Sequence, residues 1–217
     1  MDTILNISGI YDEEGWRLPG AAELDFRRLD GCCCYCDSDA EAVLRAAIAE
    51  RPLRAQHWID SGDYHYISKL WIERINEPFV LALFDNHPDD QEAAFGNLLS
   101  CGGWVRTAAD TLPLMKGTFR NTAEIPGDLP VYLSIDLDVL AREYAATDWS
   151  QGNYSPEKLR AEITQIAAGH RILGADVCGG LSIAKGARPA DLSLNAGARR
   201  ELAAFLAEIL RQNTISE

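Results

Sequence analysis

Basic side chains are scarce in this sequence: 20 Lys and Arg stand against 33 Asp and Glu, giving a net charge of −13. That balance argues against nucleic acid or an anionic membrane as a partner, because both present phosphates that an acidic surface repels. Long hydrophobic runs are missing as well. No apolar stretch approaches the roughly 20 residues that a bilayer span needs. The start "MDTILNISGIYDEEGW" has neither a basic region nor a long apolar core, so it does not read as a signal peptide, and a cytoplasmic location is expected. Paired Cys-x-x-Cys hooks of a structural zinc site are also absent. Of six cysteines, Cys32, Cys33, Cys34 and Cys36 crowd into "GCCCYC", while Cys101 and Cys178 stand alone. The crowded four read as reduced thiols in a loop, with a redox or substrate-contacting role as the alternative. Repeats, low-complexity tracts and linkers are lacking, which leaves one domain over residues 1–217.

What is present alternates between strand and helix. "TILNIS" (3–8), "AQHWID" (55–60), "FVLALF" (79–84), "LPVYLSID" (129–136) and "RILGADV" (171–177) read as strands, with "GWVRTA" (103–108) a weaker candidate. "DSDAEAVLRAAIAE" (37–50) reads as a helix capped by Asp37 or Ser38, with Val43, Leu44, Ala47 and Ile48 on its apolar stripe. "YISKLWIERI" (66–75) and "SPEKLRAEITQIAA" (155–168) follow the helical period, the second opening on Ser and Pro. A last helix starts near Asn195. This order predicts an α/β fold of three layers, a mainly parallel sheet flanked by helices. In such sheets ligands bind beyond the carboxyl ends of the strands.

Charged clusters lie at those ends. "FVLALFDNHPDDQ" closes a strand on Asp85, His87 and Asp89, spaced i, i+2, i+4, so that on extended chain the three side chains converge. Pro88 holds the preceding residues extended. "VYLSIDLDVL" repeats the device with Asp136 and Asp138, and "WIDSGDYHY" sets Asp60, Asp63 and His65 after a third strand. Carboxylates brought this close raise one another's pKa unless a cation lies between them. A lone D-x-H-x-D serves equally well as a cap for a helix over "QEAAFGNLL". Two clusters in phase favour a metal. Mostly oxygen donors with one or two imidazoles suit Mn²⁺ better than a structural zinc site, and two such ions activate a water near neutral pH.

These segments resemble the arginase/agmatinase (ureohydrolase) superfamily, whose members carry G-G-D-H, D-x-H-x-D and S-x-D-x-D segments in this order. "SGDYHY", "DNHPDD" and "SIDLD" match in order and roughly in spacing; "FGNLLSCGG" (95–103) is similar to the family's S-G-N-L-H-G, and "GADVCGG" (174–180) to its late G-x-D strand. The likeness runs from about Asp60 to Gly180 in a chain shorter than typical members. It implies Asp85, His87, Asp89, Asp136 and Asp138 as ligands of two Mn²⁺ ions, Asp85 and Asp136 bridging. Strict alignment puts Tyr64 at the histidine of G-G-D-H; a one-residue slip supplies His65, taken here as ligand and catalytic residue together with Asp89 as proton shuttle.

Two departures bear on the reaction: Leu99 stands at a family histidine that carries protons, and Gly179 lies where a glutamate receives a guanidinium group. Arginine is therefore not the expected substrate. The resemblance implies a hydrolase that cleaves a C–N bond of another small amidine, guanidino or amide molecule. A single-metal deacetylase-like amidohydrolase and a non-catalytic metal-binding protein on the same fold are the alternatives. Tyr64, Tyr66, Cys101, Trp149, Tyr154 and Cys178 are the candidates for lining the substrate pocket, each with ordinary packing as the competing role. Homo-oligomers are common in the superfamily, although no patch of the sequence marks an interface.

Overall fold

The computed structural model describes residues 1–93, 95–96 and 98–213. Among these, seven parallel strands form one sheet: β1 (Thr3–Asn6), β2 (Ala22–Asp25), β4 (Gln56–Trp58), β5 (Phe79–Phe84), β7 (Met115–Phe119), β8 (Val131–Asp136) and β9 (Ile172–Cys178), in the order β2-β1-β4-β9-β8-β5-β7. A separate antiparallel ribbon pairs β3 (Tyr35–Cys36) with β6 (Leu99–Ser100). Because successive side chains of a strand point to opposite faces, a strand whose two faces both meet a core is mostly apolar. In β5, Val80, Ala82 and Phe84 enter one core and Phe79, Leu81 and Leu83 the other. The helices α1 (Ile10–Glu13), α5 (Pro156–Gly169) and α6 (Pro189–Gln212) cover the first face. The second is covered by α2 (Ser38–Ala49), α3 (Ile67–Ile72) and α4 (Trp104–Thr111). Three layers result, as the alternation of elements predicts.

Local chemistry explains the ends. The carboxylate of Asp37 accepts from the backbone N–H groups of Asp39 and Ala40 and caps α2, whose expected stripe is narrower than read, since Val43 is exposed. Ser155 caps α5 through the Lys158 N–H, ahead of Pro156. The segment read as a weak strand over 103–108 is instead the start of α4. Trp104, Val105 and Ala108 share its buried face, a helical spacing that outweighs the strand preference of valine and threonine. The last helix begins at Pro189 rather than near Asn195, because Pro fits the first turn and Asp191 accepts from the Arg188 backbone N–H. Residues 91–93 are not helical, so Asp89 and Asp90 cap no helix there.

One ion pair crosses the first core. Arg199 of α6 donates to both carboxylate oxygens of Glu14, at 2.6 and 3.3 Å, and to the carbonyl of Gly179, at 2.6 Å, with neither charged side chain exposed. The face of Tyr11 lies 4.9 Å from the guanidinium carbon. Since β9 ends at Cys178, this pair fixes the strand's exit toward the charged clusters. No helix is long and apolar enough to cross a membrane among the described residues.

Candidate metal centre

The site forms where β4, β5, β8 and β9 reach the carboxyl edge of the sheet. Asp85 follows β5 directly, and its Oδ1 accepts from the His87 backbone N–H at 2.6 Å, a turn that bends the chain back and sets both side chains inward. Asp136 ends β8 and accepts through Oδ1 from the Asp138 N–H at 2.8 Å. Asp138 accepts in turn from the Asn86 N–H at 2.9 Å, which ties the two acidic loops together. Asp89 has a left-handed backbone, φ +47°, an unfavourable state for a residue with a Cβ. It is held there by α4: its carbonyl accepts from Val105 and its carboxylate from the Trp104 indole at 2.7 Å.

Both imidazoles turn Nε2 to a serine hydroxyl. His65 turns Nε2 to the Ser134 hydroxyl at 2.9 Å, and that hydroxyl donates to Asp176 at 2.7 Å. With the serine proton spent on Asp176, the oxygen accepts from His65, which places the proton on Nε2 and leaves Nδ1 with its lone pair. Nδ1 lies 3.1 Å from Asp85, 3.1 Å from Asp89 and 3.9 Å from Asp136. His87 turns Nε2 to Ser150 at 2.8 Å and Nδ1 to Asp138 at 2.8 Å and Asp85 at 3.4 Å. The lone pair on Nδ1 of His65, aimed at carboxylate oxygens, repels them unless a proton or a cation lies between.

Among the protein groups alone, protons fill that role. Burial, then Asp85, lift Asp136 to about 6; burial, then Asp136 and Asp85, push Asp138 to about 10. Burial disfavours charge on His65, but its neighbours Cys178, Asp85 and Asp89 outweigh it and raise the imidazole well above its ordinary value. Asp85 is held low: burial opposes this, and the hydrogen bonds from His65 and His87 prevail.

The donors fall into groups close enough to share an ion: His65, Asp85 and Asp89; Asp85, His87 and Asp138; and His65, Asp136 and Cys178. Asp85 belongs to two of them. In the first two groups, carboxylate oxygens with one imidazole fit hard divalent cations; the third adds a thiol. His65, and not Tyr64, reaches the carboxylates, because the short turn Gly62–Tyr64 rotates the chain by one residue before the imidazole. The rest of the third acidic cluster stays out, which corrects the expected convergence of Asp60 and Asp63. Asp60 accepts from the backbone of Ile7, Ser8 and Ser61. Asp63 pairs with Lys185, beside Cys33, Cys34 and Trp149.

A hollow of about 280 Å³ opens over the cluster, walled by Cys34, Tyr35, Gln91, Ser100, Cys101 and Trp149. Cys101 and Trp149 are thus among its walls; the other four residues expected to line a pocket are not. Tyr64 packs in the second core, and Tyr66 is fully buried with its hydroxyl on the Cys32 carbonyl at 2.6 Å. Tyr154 faces a separate recess and bonds Glu162, because Gly152 and Asn153 carry it past the rim. Cys178 lies beneath the carboxylates, its thiol donating to Asp136 at 3.0 Å. Ser150 and Trp104 were not legible as site residues, since each acts on a ligand distant in sequence; Asp176 was marked only by the G-x-D strand.

No protein-family model matches the chain. Solved structures share its architecture over nearly its whole length. Proclavaminate amidino hydrolase from Streptomyces clavuligerus is 14% identical, with a TM-score of 0.67 over 97% of this chain and 91% of that one. A Mn²⁺-bound triple mutant of the T. brucei arginase-like protein is 18% identical, with a TM-score of 0.62 over 100% and 92%. A hypothetical agmatinase from Burkholderia thailandensis is 16% identical, with a TM-score of 0.61 over 97% and 86%. The fold is thus that of the arginase/agmatinase (ureohydrolase) superfamily. By sequence, the chain belongs to one family with an uncharacterised protein of Thermotoga maritima, to which it is 32% identical over 201 residues, 81% of this chain and 78% of that one.

The two departures from the superfamily pattern have structural counterparts. Leu99 is buried in the ribbon opposite Cys36. The neighbouring Asn97 of the S-G-N-L-H-G-like stretch lies outside the described residues. Gly179 has φ +95°, and a Cβ there would strike the Asp136 carboxylate and come within 2.8 Å of the Leu137 nitrogen. Gly179→Glu should therefore lower the metal content of the purified protein instead of creating a guanidinium site. Elemental analysis beside an arginine assay checks this; full metal content with new arginine turnover would contradict it.

Proposed function

We propose that this protein is a metal-dependent hydrolase that cleaves a C–N bond of a small amidine, guanidino or amide substrate other than arginine. The observation that carries this reading is the pair of serine-backed imidazoles whose Nδ1 atoms face carboxylates sharing Asp85. His65, Asp85, Asp89 and Asp136 would hold one ion and His87, Asp85, Asp136 and Asp138 the other, Mn²⁺ being the best match to these donors. When bound, two such ions would polarise the substrate and lower the pKa of water. Ser134, its proton given to Asp176, keeps the Nδ1 of His65 free to ligate. Asp89, fixed by Trp104, is placed to hold a proton in transit from water to the leaving nitrogen. Among the described wall residues there is no Lys or Arg to receive a substrate carboxylate. The test is turnover: protein reloaded with two equivalents of Mn²⁺ should release urea, ammonia or an amine from a panel of such compounds, and stripped protein should not.

A second reading, metal binding without catalysis, is favoured by buried Leu99 at the proton-carrier position. Loaded protein that is inert across the panel would select it.

The pH dependence of stability gives an independent check. Asp136 and Asp138 titrate in the fold above the unfolded value of about 4. The metal-free fold thus holds protons that the unfolded chain has released, and it loses stability as pH rises through that window. Raised His65 acts in the same direction. Cations displace those protons, so binding tightens with pH. Stripped protein should melt lower at pH 8 than at pH 6, and the gain on adding Mn²⁺ should be larger at pH 8. Thermal scans at both pH values measure it, and the opposite order would remove this support.

A further inference from the structure

Cys178 is the last residue of β9 and points to the same side of the sheet as Asp176, two positions earlier. Asp176 steadies Ser134 behind His65; Cys178 reaches one step further, to the imidazole and to Asp136. The donor atoms of His65, Asp136 and Cys178 all lie within 4.8 Å of one another, and all three residues are buried. The group around His87 has no sulfur: Asp85, His87 and Asp138 offer oxygen and nitrogen only, and His87 is partly open to solvent. The two positions therefore differ in kind.

We propose that Cys178 supplies a thiolate ligand to the ion held by His65, so that this position prefers a borderline ion such as Zn²⁺, Co²⁺ or Fe²⁺ while the His87 position keeps a hard one. The inference deepens the hydrolase reading and rests on it for the presence of the ions. The step balances simply: the S–H bond breaks, the sulfur binds the cation, and the proton leaves to solvent. Soft donors shift selectivity away from Mn²⁺, and a coordinating thiol is deprotonated by the ion itself. Carboxylates alone would not discriminate in this way. The competing role is a small buried side chain whose thiol merely donates to Asp136.

Cobalt separates the two roles, because a thiolate bound to Co²⁺ gives a near-ultraviolet charge-transfer band that oxygen and nitrogen donors do not. Metal-free protein is titrated with Co²⁺ as native chain, as Cys178→Val, and as a Cys33→Ser/Cys34→Ser/Cys101→Ser variant that removes the thiols near the rim. The band is expected in the native chain and in the triple variant, and its loss is expected in Cys178→Val with two Co²⁺ still bound. Competition titrations should show Zn²⁺ affinity falling about tenfold or more in Cys178→Val, with a smaller change for Mn²⁺. Bound Co²⁺ without the band in native protein, or a band lost only with the triple variant, overturns the proposal. No Co²⁺ uptake at all overturns the metal reading and this inference with it. If Cys178→Val does not fold, the native and triple-variant spectra decide alone.

Discussion

Asp85→Ala should purify almost free of metal and without hydrolytic activity, the largest functional loss expected of any single change. Asp85 is shared by the groups of His65 and His87, so its removal takes a ligand from both positions at once. Loss of supporting groups around a metal ligand already costs about 10–100-fold in affinity, and removal of a shared ligand should exceed that range. Asp138→Asn makes the contrast. In the metal-free fold Asp138 is pushed up to about 10, by burial first and then by Asp136 and Asp85, so at pH 8 it behaves as a neutral acid that Asn imitates. That variant should lose metal at the His87 position, yet its stripped form should melt at or above stripped wild type. Elemental analysis and melting curves of the two variants measure both effects. An Asp85→Ala protein with native metal content would remove the basis of the functional reading.

Arg199→Met carries the largest expected effect on stability. Its guanidinium is wholly buried against Glu14, and truncation leaves that carboxylate without its partner in a dry core. Breaking such a pair costs about 3–5 kcal/mol. At roughly 2–4 °C per kcal/mol for a chain of this size, the melting point should fall by about 6–20 °C. Glu14→Gln combined with Arg199→Met should recover most of the loss, because no unpaired charge then remains. The cost is predicted to reach the site too: the lost bond to the Gly179 carbonyl frees the exit of β9, so metal should be held more weakly even at temperatures where the variant is folded. Chemical denaturation of both variants, with metal titration of the single one, tests the argument. A single variant as stable as wild type would show that the pair contributes nothing.

The sequence exposed the parts of this fold where one physical demand dominates. Phe79–Phe84 had to be a central strand, because a run apolar on both faces fits nothing else of that length. Asp85, His87 and Asp89 stood out because charge directly after such a run has no packing role. Edge elements gave weaker signals. β2 ("AELD") and β7 ("MKGTF") are half exposed and short of apolar residues, so their pairing partners, not their own composition, make them strands. α4 was misread because Val105 and Thr107 favour strand locally, while burial of Trp104 against Asp89 is a tertiary effect. The pocket walls were the least legible. Tyr66 and Tyr154 follow promising segments, yet where an aromatic ring points depends on the turn that delivers it.

The ribbon of β3 and β6 bears on how the proposed hydrolase would come to accept other molecules. Tyr35 and Ser100 are paired on it and face the hollow, whereas the cation-facing groups at the base hang from the main sheet. Roof and hearth are separate masonry. Under the proposed function, rewriting the ribbon would alter which molecules are admitted without moving the groups at the base, so chains sharing this hearth would be free to diverge in what they bind.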